Sequence, residues 1–440
     1  MKHFVMAAVA LSLLGGCGVL GGKGKKRTTP TIGQRISVLG TEASIEVDPA
    51  LAGVPVTLPA AQTNAEWAQP GGNASKSMGH LTIGSALGQA WRVDIGDGST
   101  NKGRLGAAPV LGGGKIFTID TQGVVRAFNP ETGATLWQSQ VRGEQASQAT
   151  LFGGGVSYDN GRVYATNGAG YAAALDATNG GPIWQVRPGG PLRGAPTIAN
   201  DNIYVVSQDN QLYALDPADG ALRWTGSGTI EQAGVFGSAA PSAAQGTVVA
   251  GFSSGELNAY RYENGRTLWQ DALARTSIST TVTSMSDIDA APVIDQGRVY
   301  AVGQGGRMVA LELVTGQRIW EINVAGISTP WVAENWIWVV TDDAQLLAIA
   351  RGTGKVRWMT QLTRYRDVED KKGPISWTGP ILAGDRLILA NSSGQIVNVS
   401  PIDGSVQSTV DTRMPITLSP IVANNSLYIL HDNGMLSAWR

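Results

Sequence analysis

The sequence predicts an all-β fold, an eight-bladed β-propeller built from four-stranded antiparallel blades. Three observations predict it: a unit of about 44 residues recurs, Gly and Pro are abundant, and charged residues are scarce. The 440 residues include 58 Gly and 20 Pro, and 15% are charged, against roughly a quarter in an average globular chain. With so little Glu, Lys and Arg, the chain lacks the composition that exposed helices need.

The charge balance and the metal-binding residue types exclude several functional classes. The 33 basic and 34 acidic residues give a net charge of −1, which removes the electrostatic footprint of a nucleic-acid binder. A single Cys excludes an internal disulfide framework and a Cys-based zinc cluster, and three His residues argue against a histidine metal cage. We therefore expect no nucleic-acid partner, no metal and no cofactor.

The first residues have the features of a secretion signal. An apolar run from Phe4 to Leu14 follows a basic residue and is too short to cross a bilayer as a helix. The next residues, Leu14-Gly15-Gly16-Cys17, resemble the bacterial lipobox. We expect residues 1–16 to be removed and Cys17 to carry acyl chains, several of which on one residue anchor a protein stably. An ordinary secretion signal with an incidental thiol is the alternative.

Residues 17–63 are expected to form a flexible tether behind the lipid. Gly, Lys and Arg dominate its first part, and four Pro residues punctuate the remainder without an apolar period. A flexible chain of about 45 residues spans on the order of 40 Å. Gly18 follows the Cys, where lipoproteins retained in the inner membrane often have Asp. This favours attachment to the outer membrane, with the body of the protein, residues 64–440, at its periplasmic face.

Internal similarity defines the repeating unit. Five Pro residues each lie 28 residues before a Trp, and a Gly stands 24 residues after each of the first seven unit starts. At 14 residues after the start, six of the eight units have Gly, with Asn210 and Ala344 in the other two. Strand-length pieces such as Lys115–Ile119 and Trp336–Val340 lie between these predicted turns. A period near 44 with four strands indicates a propeller blade. The units start at positions 109, 156, 196, 241, 292, 330, 380 and 420.

The last unit is incomplete, and this predicts how the ring closes. The unit starts at Pro420 and the sequence stops at Arg440, which leaves room for three strands. Residues 89–94 look like the final strand of a blade without a unit before it. We expect this strand, with Trp91, to complete the eighth blade and to hide the sheet edges that an open array would expose.

A Trp recurs near the end of six of the eight units. We expect these residues to lie between neighbouring blades, with the indole buried and its N–H bonded. The alternative is a stacking platform for a flat cofactor, which requires an aromatic residue facing the central channel away from this series; Trp331, Trp336 and Trp338 are the candidates. The recurring residues are Trp137, Trp184, Trp224, Trp269, Trp320 and Trp358.

Two segments carry a family resemblance. Residues 127–137 and 214–224 resemble the pyrroloquinoline-quinone-type propeller repeat. Together with the lipobox, tether and length, the whole chain resembles the BamB family of outer-membrane assembly lipoproteins. Residues 64–73 and 78–81 resemble alphaproteobacterial members. The resemblance implies a non-enzymatic scaffold that binds the POTRA repeats of the barrel-inserting subunit, BamA, and assists insertion of β-barrel proteins into the outer membrane. Unfolded barrel precursors are a further implied partner.

Quinone-dependent dehydrogenases share this repeat and supply the alternative function. Members that oxidise alcohols typically use an adjacent Cys pair, which this chain cannot form, and others need Ca²⁺ beside a catalytic Asp or His. We expect His431 at the surface or the rim, and Asp342 with Asp343 in a turn. No catalytic residue is assigned. A glycan-binding propeller is a third class of function.

The resemblance also implies two partner-binding loops. BamB proteins carry a Ser-Asp-x-Asp element in one loop, and this chain has it as Asp287 and Asp289 with their neighbours, shortly before Pro292. The second loop contains alternating leucines and an Arg before the next Pro. Before Pro241 this chain has Val235 and Phe236, with Phe236 in place of the Arg, which implies an apolar contact. Local turn capping by the two Asp side chains is the alternative.

Overall fold

The computed structural model describes residues 45–141, 152–230, 239–273 and 286–440. Within these ranges, 34 strands form eight four-stranded antiparallel sheets and one two-stranded hairpin, and a single 3-10 turn spans Pro49–Leu51. No helix there has the length and apolar character needed to span a membrane. The all-β prediction is confirmed, because each predicted unit forms one sheet.

The first four sheets follow one another along the chain. Each sheet is a meander in which consecutive strands pair, so that the first strand lies innermost and the fourth outermost. The strands are, for blade 1, β2 (Val110–Gly112), β3 (Lys115–Ile119), β4 (Val124–Phe128) and β5 (Thr135–Gln140); for blade 2, β6 (Gly154–Asp159), β7 (Arg162–Asn167), β8 (Ala172–Asp176) and β9 (Pro182–Val186); for blade 3, β10 (Thr197–Ala199), β11 (Asn202–Val206), β12 (Gln211–Leu215) and β13 (Leu222–Ser227); and for blade 4, β14 (Ser242–Ala244), β15 (Thr247–Gly251), β16 (Glu256–Arg261) and β17 (Thr267–Ala272).

The next sheets continue the same pattern, with a hairpin inserted before blade 7. The strands are, for blade 5, β18 (Val293–Asp295), β19 (Arg298–Gly303), β20 (Arg307–Glu312) and β21 (Arg318–Ile322); for blade 6, β22 (Trp331–Ala333), β23 (Trp336–Val340), β24 (Gln345–Ala350) and β25 (Val356–Gln361); for the hairpin, β26 (Tyr365–Asp367) and β27 (Lys372–Pro374); for blade 7, β28 (Trp377–Ala383), β29 (Arg386–Asn391), β30 (Gln395–Val399) and β31 (Val406–Asp411); and for blade 8, β32 (Ile421–Ala423), β33 (Ser426–Leu430) and β34 (Met435–Trp439).

The fourth strand of blade 8 comes from the other end of the described chain. Strand β1 (Gln89–Asp94) pairs with β34 in antiparallel register, with Arg92 opposite Ser437 and Val93 opposite Leu436. Trp91 donates its indole N–H to the carbonyl of Pro130 in blade 1, at 3.0 Å. The predicted closure is therefore confirmed: β1 belongs to blade 8 and contacts blade 1, which links the two ends of the ring.

The repeated Trp and Gly positions form one contact between neighbouring blades. Trp224 of blade 3 donates its N–H to the Tyr262 carbonyl that follows the third strand of blade 4, at 2.8 Å. A Cβ placed on Gly265 of blade 4 would lie 2.5 Å from the Trp224 ring. The six Trp residues of the series all donate to the following blade, which confirms their predicted interblade role; the acceptor residues are Ala177, Pro217, Tyr262, Leu313, Arg351 and Pro401.

The second Gly series marks a turn that needs a left-handed backbone. All eight positions in that series have positive φ, including the two that are not Gly, Asn210 at 60° and Ala344 at 58°. Asn adopts this conformation more readily than most residues. Ala344 has no side-chain hydrogen bond to offset the strain, so the surrounding turn holds it there.

Residues 62–82 form a circular strap around the inner edges of the blades. The strap bonds each blade in turn, and its two ends pair with each other where Gln62 meets His80 and Thr82. These bonds satisfy backbone N–H and C=O groups of the first strands, which would otherwise be unpaired at the inner edge of each sheet. The bonded pairs are Asn64 with Asn424, Trp67 with Leu111, Ala68 with Tyr158, Gln69 with Ile198, Ala74 with Ala243, Ser75 with Ile294, Gly79 with Trp331, and Leu81 with Leu382 and Gly384.

Residues 45–63 lie against the propeller, although the sequence analysis assigned them to the tether. The compact unit starts at Ile45. Val47 forms a bridge with Val356, and Asp48 forms an ion pair with Lys355 at 2.6 Å. A segment without an apolar period is thus held by backbone bonds and a surface ion pair, neither of which leaves a periodic signal.

Candidate functional site

A cavity of about 820 Å³ occupies the centre of the ring. Residues from all eight blades line it, and the strap contributes Trp67, Pro70, Gly71 and Lys76. The cavity extends from the strap to the loops that precede the first strands of the blades. Its volume falls within the range of small-molecule pockets, about 300–1,000 Å³.

Trp331 faces this cavity, but one face of its ring is covered by the chain itself. Trp67 of the strap stacks on it, with ring centroids 6.2 Å apart and planes 20° apart. The Trp331 N–H donates to the Gly79 carbonyl at 2.7 Å. The other two platform candidates, Trp336 and Trp338, are buried within blade 6. Of the three, Trp331 alone lies on the cavity wall.

An ion-pair cluster of Arg193, Asp287 and Asp289 joins two loops beside the cavity. Arg193 Nη2 lies 2.8 Å from Asp287 Oδ1 and 3.0 Å from Asp289 Oδ1. The Arg193 loop precedes blade 3, and the acidic loop precedes blade 5. Because the two loops are 94 residues apart in sequence, this cluster fixes their relative position within the ring.

All three side chains of the ion-pair cluster are buried. Asp287 is 1% exposed, and the side chain of Asp289 is 6% exposed. Burial, and next the neighbouring Asp287 carboxylate, raise the pKa of Asp289 above its ordinary value. Removing one member of a buried ion pair leaves an uncompensated charge and costs about 3–5 kcal/mol. The cluster therefore stabilises the loops at this end of the ring.

The predicted partner-binding residues fall partly within the described chain. Asp287 and Asp289 of the Ser-Asp-x-Asp element are buried and form ion pairs with Arg193, a contact that the sequence did not predict. Val235, Phe236 and the lipid-bearing Cys17 lie outside the described residues. The role of all five residues in binding or anchoring stays a prediction.

Sequence reasoning missed Arg193. The family pattern of alternating leucines and an Arg before a blade's Pro is incomplete before Pro241, where Phe236 replaces the Arg. Part of the pattern, one Leu and the Arg, is present before Pro196 as Leu192 and Arg193. A search of every loop that precedes a unit start would have found it, and the structure brings this Arg to the acidic loop.

The location of His431 differs from the one predicted, whereas Asp342 and Asp343 lie where the sequence predicts them. His431 is buried, not at the surface or rim, and its Nε2 lies 2.9 Å from Ser437 Oγ. Burial lowers its pKa. Asp342 and Asp343 lie in a turn as predicted, and burial, with Asp343 as the second cause, raises the pKa of Asp342 to about 6. Among the described residues, no group of three or more His, Cys, Asp or Glu is arranged to hold a metal.

Similar sequences cover most of the chain. One is the outer membrane protein assembly factor BamB of Yersinia pestis, 25% identical over 357 residues, which are 80% of this chain and 88% of that protein. BamB of Escherichia coli K12 is 27% identical over 350 residues, 78% of this chain and 86% of its own length. An uncharacterised protein of Rickettsia prowazekii is 26% identical over 345 residues, 77% of this chain and 81% of its own length.

Solved structures share the fold. BamB from Moraxella catarrhalis superposes with a TM-score of 0.64 at 18% identity, covering 81% of this chain and 98% of that one. A quinohemoprotein alcohol dehydrogenase from Comamonas testosteroni gives 0.65 at 12% identity, covering 86% of this chain and 81% of that one. At such identities, structural likeness establishes the architecture alone. The profile of the family described as outer membrane protein assembly factor BamB matches residues 85–146 and 121–360, more than half of the sequence, so the chain belongs to the BamB family.

Proposed function

We propose that this protein is a non-enzymatic scaffold in the assembly of outer-membrane β-barrel proteins. The observation that carries the proposal is the extent of the match: relatives named outer membrane protein assembly factors align over 75% to 80% of this chain and 84% to 88% of their own length. A closed ring of eight blades supports a positional role, because it holds loops from distant parts of the sequence in fixed relation.

The proposal places the protein at the periplasmic face of the outer membrane. Residues 1–16 would be removed, and acyl chains on Cys17 would anchor the new N-terminus. The lipobox pattern at residues 14–17 supports this assignment. The tether would then comprise the residues between Cys17 and Ile45, where the compact unit starts.

The proposed partner is the row of POTRA repeats of BamA, bound at the loops before blades 4 and 5. Val235 and Phe236 would supply apolar contact. Asp287 is 1% exposed, so its contribution would come through the loop that the ion-pair cluster holds in place. An apolar contact through Phe236 needs no charged partner. An Arg of the family pattern is present elsewhere in this chain, as Arg193 of the ion-pair cluster.

The test replaces the two carboxylates with amides of the same shape. We expect Asp287→Asn together with Asp289→Asn to reduce capture of a purified POTRA fragment by about tenfold or more, because the loop loses the charges that orient it around Arg193. Binding is measured by surface plasmon resonance with the full chain immobilised. A second pair of variants, Val235→Ser with Phe236→Ser, is expected to weaken capture by a comparable factor without changing the melting temperature.

Asp120→Asn is the matched control. Asp120 forms a buried ion pair with Arg126 at 2.6 Å in blade 1, away from the proposed loops. This control is expected to lower the melting temperature as the cluster variants do, with capture unchanged. If the cluster variants captured the POTRA fragment as well as the parent protein does, Asp287 and Asp289 would not belong to the partner site. Reduction of a dye with alcohols or sugars after addition of quinone and Ca²⁺ would contradict the scaffold assignment itself.

A further inference from the structure

Lys76 is a buried cation on the wall of the central cavity. The residue is 3% exposed, and its Nζ donates to Thr197 Oγ1 at 3.1 Å. An ammonium group has three donors. Within the described ranges, this is the one hydrogen bond of Nζ, and no carboxylate lies within ion-pair distance of it.

The surroundings of Lys76 hold the ammonium group in place. Thr197 donates its own hydroxyl proton to the Pro241 carbonyl at 2.6 Å, so a lone pair of Oγ1 is directed to Nζ. Gly71 lies under the stem of the lysine: a Cβ there would come within 2.9 Å of Lys76 Cδ. Lys76 also adopts a left-handed backbone with φ of 63°, a conformation that costs a residue with a side chain about 1–2 kcal/mol.

A buried charge without a counter-charge is unfavourable. Moving an ammonium group out of water costs several kcal/mol after relaxation of the protein. Burial lowers the pKa of Lys76 from 10.5 to about 7, and no neighbouring charge offsets it. Near pH 7 the Lys76 amine is therefore only partly protonated, and an anion that enters the cavity would supply a counter-ion that favours the ammonium form.

We propose that the central cavity binds a small oxyanion, a carboxylate or a phosphate ester, with Lys76 as its counter-ion at the strap. The cavity volume of about 820 Å³ admits an organic molecule larger than inorganic phosphate. The serine and threonine hydroxyls on the wall, at Ser99, Thr100 and Thr329, supply further polar groups for the remainder of such a molecule. Arg193 and Asp289 of the ion-pair cluster also line the cavity, but the proposal rests on Lys76 at the strap and does not depend on the assignment of the acidic loop to the POTRA repeats.

The first experiment titrates the full chain with inorganic phosphate and, separately, with acetate, and follows binding by calorimetry and melting temperature. We expect Lys76→Met to weaken binding of the effective anion by about tenfold or more. Binding of phosphate alone identifies a phosphate site, binding of acetate alone a carboxylate site, and binding of both a site for either group. Lys102→Met is the matched control, because Lys102 is exposed and lies off the cavity wall; its binding should equal that of the parent.

A second variant separates loss of the site from loss of structure. Thr197→Val keeps the ammonium group and removes the hydroxyl that orients it, so we expect weaker binding with the charge retained. In the absence of added anion, Lys76→Met should melt at the same temperature as the parent or higher, since the unpaired charge is gone. Undetectable binding of both anions to the parent, or equal binding by the parent and Lys76→Met, would overturn the proposal.

Discussion

Individual Gly residues make room for the indole ring of the preceding blade. At Gly316 of blade 5, φ is 70°, and an added Cβ would lie 2.5 Å from Trp269 Cγ. Two demands therefore fall on one residue, a left-handed backbone and the lack of a side chain. This explains why the Gly series and the Trp series have the same period: the two are opposite sides of one contact.

Gly316→Ala tests the contribution of the ring contact beyond backbone strain. Gly297 is the control, because its φ is 75° and an added Cβ there would meet nothing within 4 Å. We expect Gly297→Ala to lower the free energy of unfolding by about 1–2 kcal/mol through strain alone. Gly316→Ala should lower it by about 1–3 kcal/mol more, because Trp269 must move.

Urea denaturation of both variants, followed by Trp fluorescence and by circular dichroism, supplies the comparison. Equal losses for Gly316→Ala and Gly297→Ala would mean that the Trp269 ring yields without penalty. In that case the shared period of the two series would reflect turn geometry rather than packing between blades.

Among the structural elements, the strap of residues 62–82 contributes most beyond the blades. It contacts every blade, and its Trp67 is 3% exposed and stacks on Trp331 of blade 6. Hydrophobic burial and backbone bonding are thus added at the inner edge, where the first strands are three residues long in six of the eight blades. The hydrogen bonding of the inner edge is thus shared between the short first strands and the strap.

Removal of the strap should cost far more than removal of the segment before it. A chain that starts at Gln62 keeps the strap, and one that starts at Ile83 lacks it. We expect the shorter chain to lose roughly 5 kcal/mol or more relative to the longer one, since burial of a Trp alone contributes about 3–5 kcal/mol. The free energy of unfolding in urea measures the difference. Equal midpoints for the two chains would show that the strap lies on a ring that is already stable.

The blades could be predicted because their determinants are local. Each unit contains its own turns and strands within about 44 residues, six of the eight also have the interblade Trp, and the missing strand of blade 8 follows from the same spacing. The strap could not, because nothing in its own residues, 62–82, repeats, although most of the positions that it bonds, such as Leu111, Tyr158 and Ile198, lie two residues after a unit start. The same reason hid the ion-pair cluster: nothing near Asp287 in sequence indicates that its partner is Arg193. His431 is buried because Ser437, six residues on, satisfies its ring nitrogen.

For the molecule as a whole, the circular arrangement gives the closing contact between blades 8 and 1 the same form as the internal contacts made by the six Trp residues of the series. In an open array of repeats, a terminal unit has one neighbour and unfolds more readily than an internal one. In this ring, blade 8 and blade 1 are joined as internal blades are. The Trp91 ring lies against Gly133 of blade 1, where an added Cβ would come within 2.7 Å, just as Trp184 lies against Gly220.

Trp91→Ala and Trp184→Ala form a matched pair that tests this equivalence. Both indoles are half-buried, and each donates its N–H to a Pro carbonyl of the next blade at 3.0 Å. Each also lies tilted on a Tyr of its own blade, with centroids at 6.0 Å for Trp91 and 6.2 Å for Trp184. Trp91 is at the closure of the ring, and Trp184 is within it. We expect both substitutions to lower the free energy of unfolding by about 3–5 kcal/mol, in a single transition.

Calorimetry distinguishes a closed ring from an array whose ends merely touch. If closure were weak, Trp91→Ala would have a small effect, or blade 8 would unfold in a separate transition at lower temperature. If closure dominated, Trp91→Ala alone would abolish cooperative unfolding, whereas Trp184→Ala would retain it. Equal losses in one transition follow only when the contact of blade 8 with blade 1 stabilises the ring as much as the internal contact of blade 2 with blade 3, and the packing around Trp91 and Trp184 leads us to expect that result.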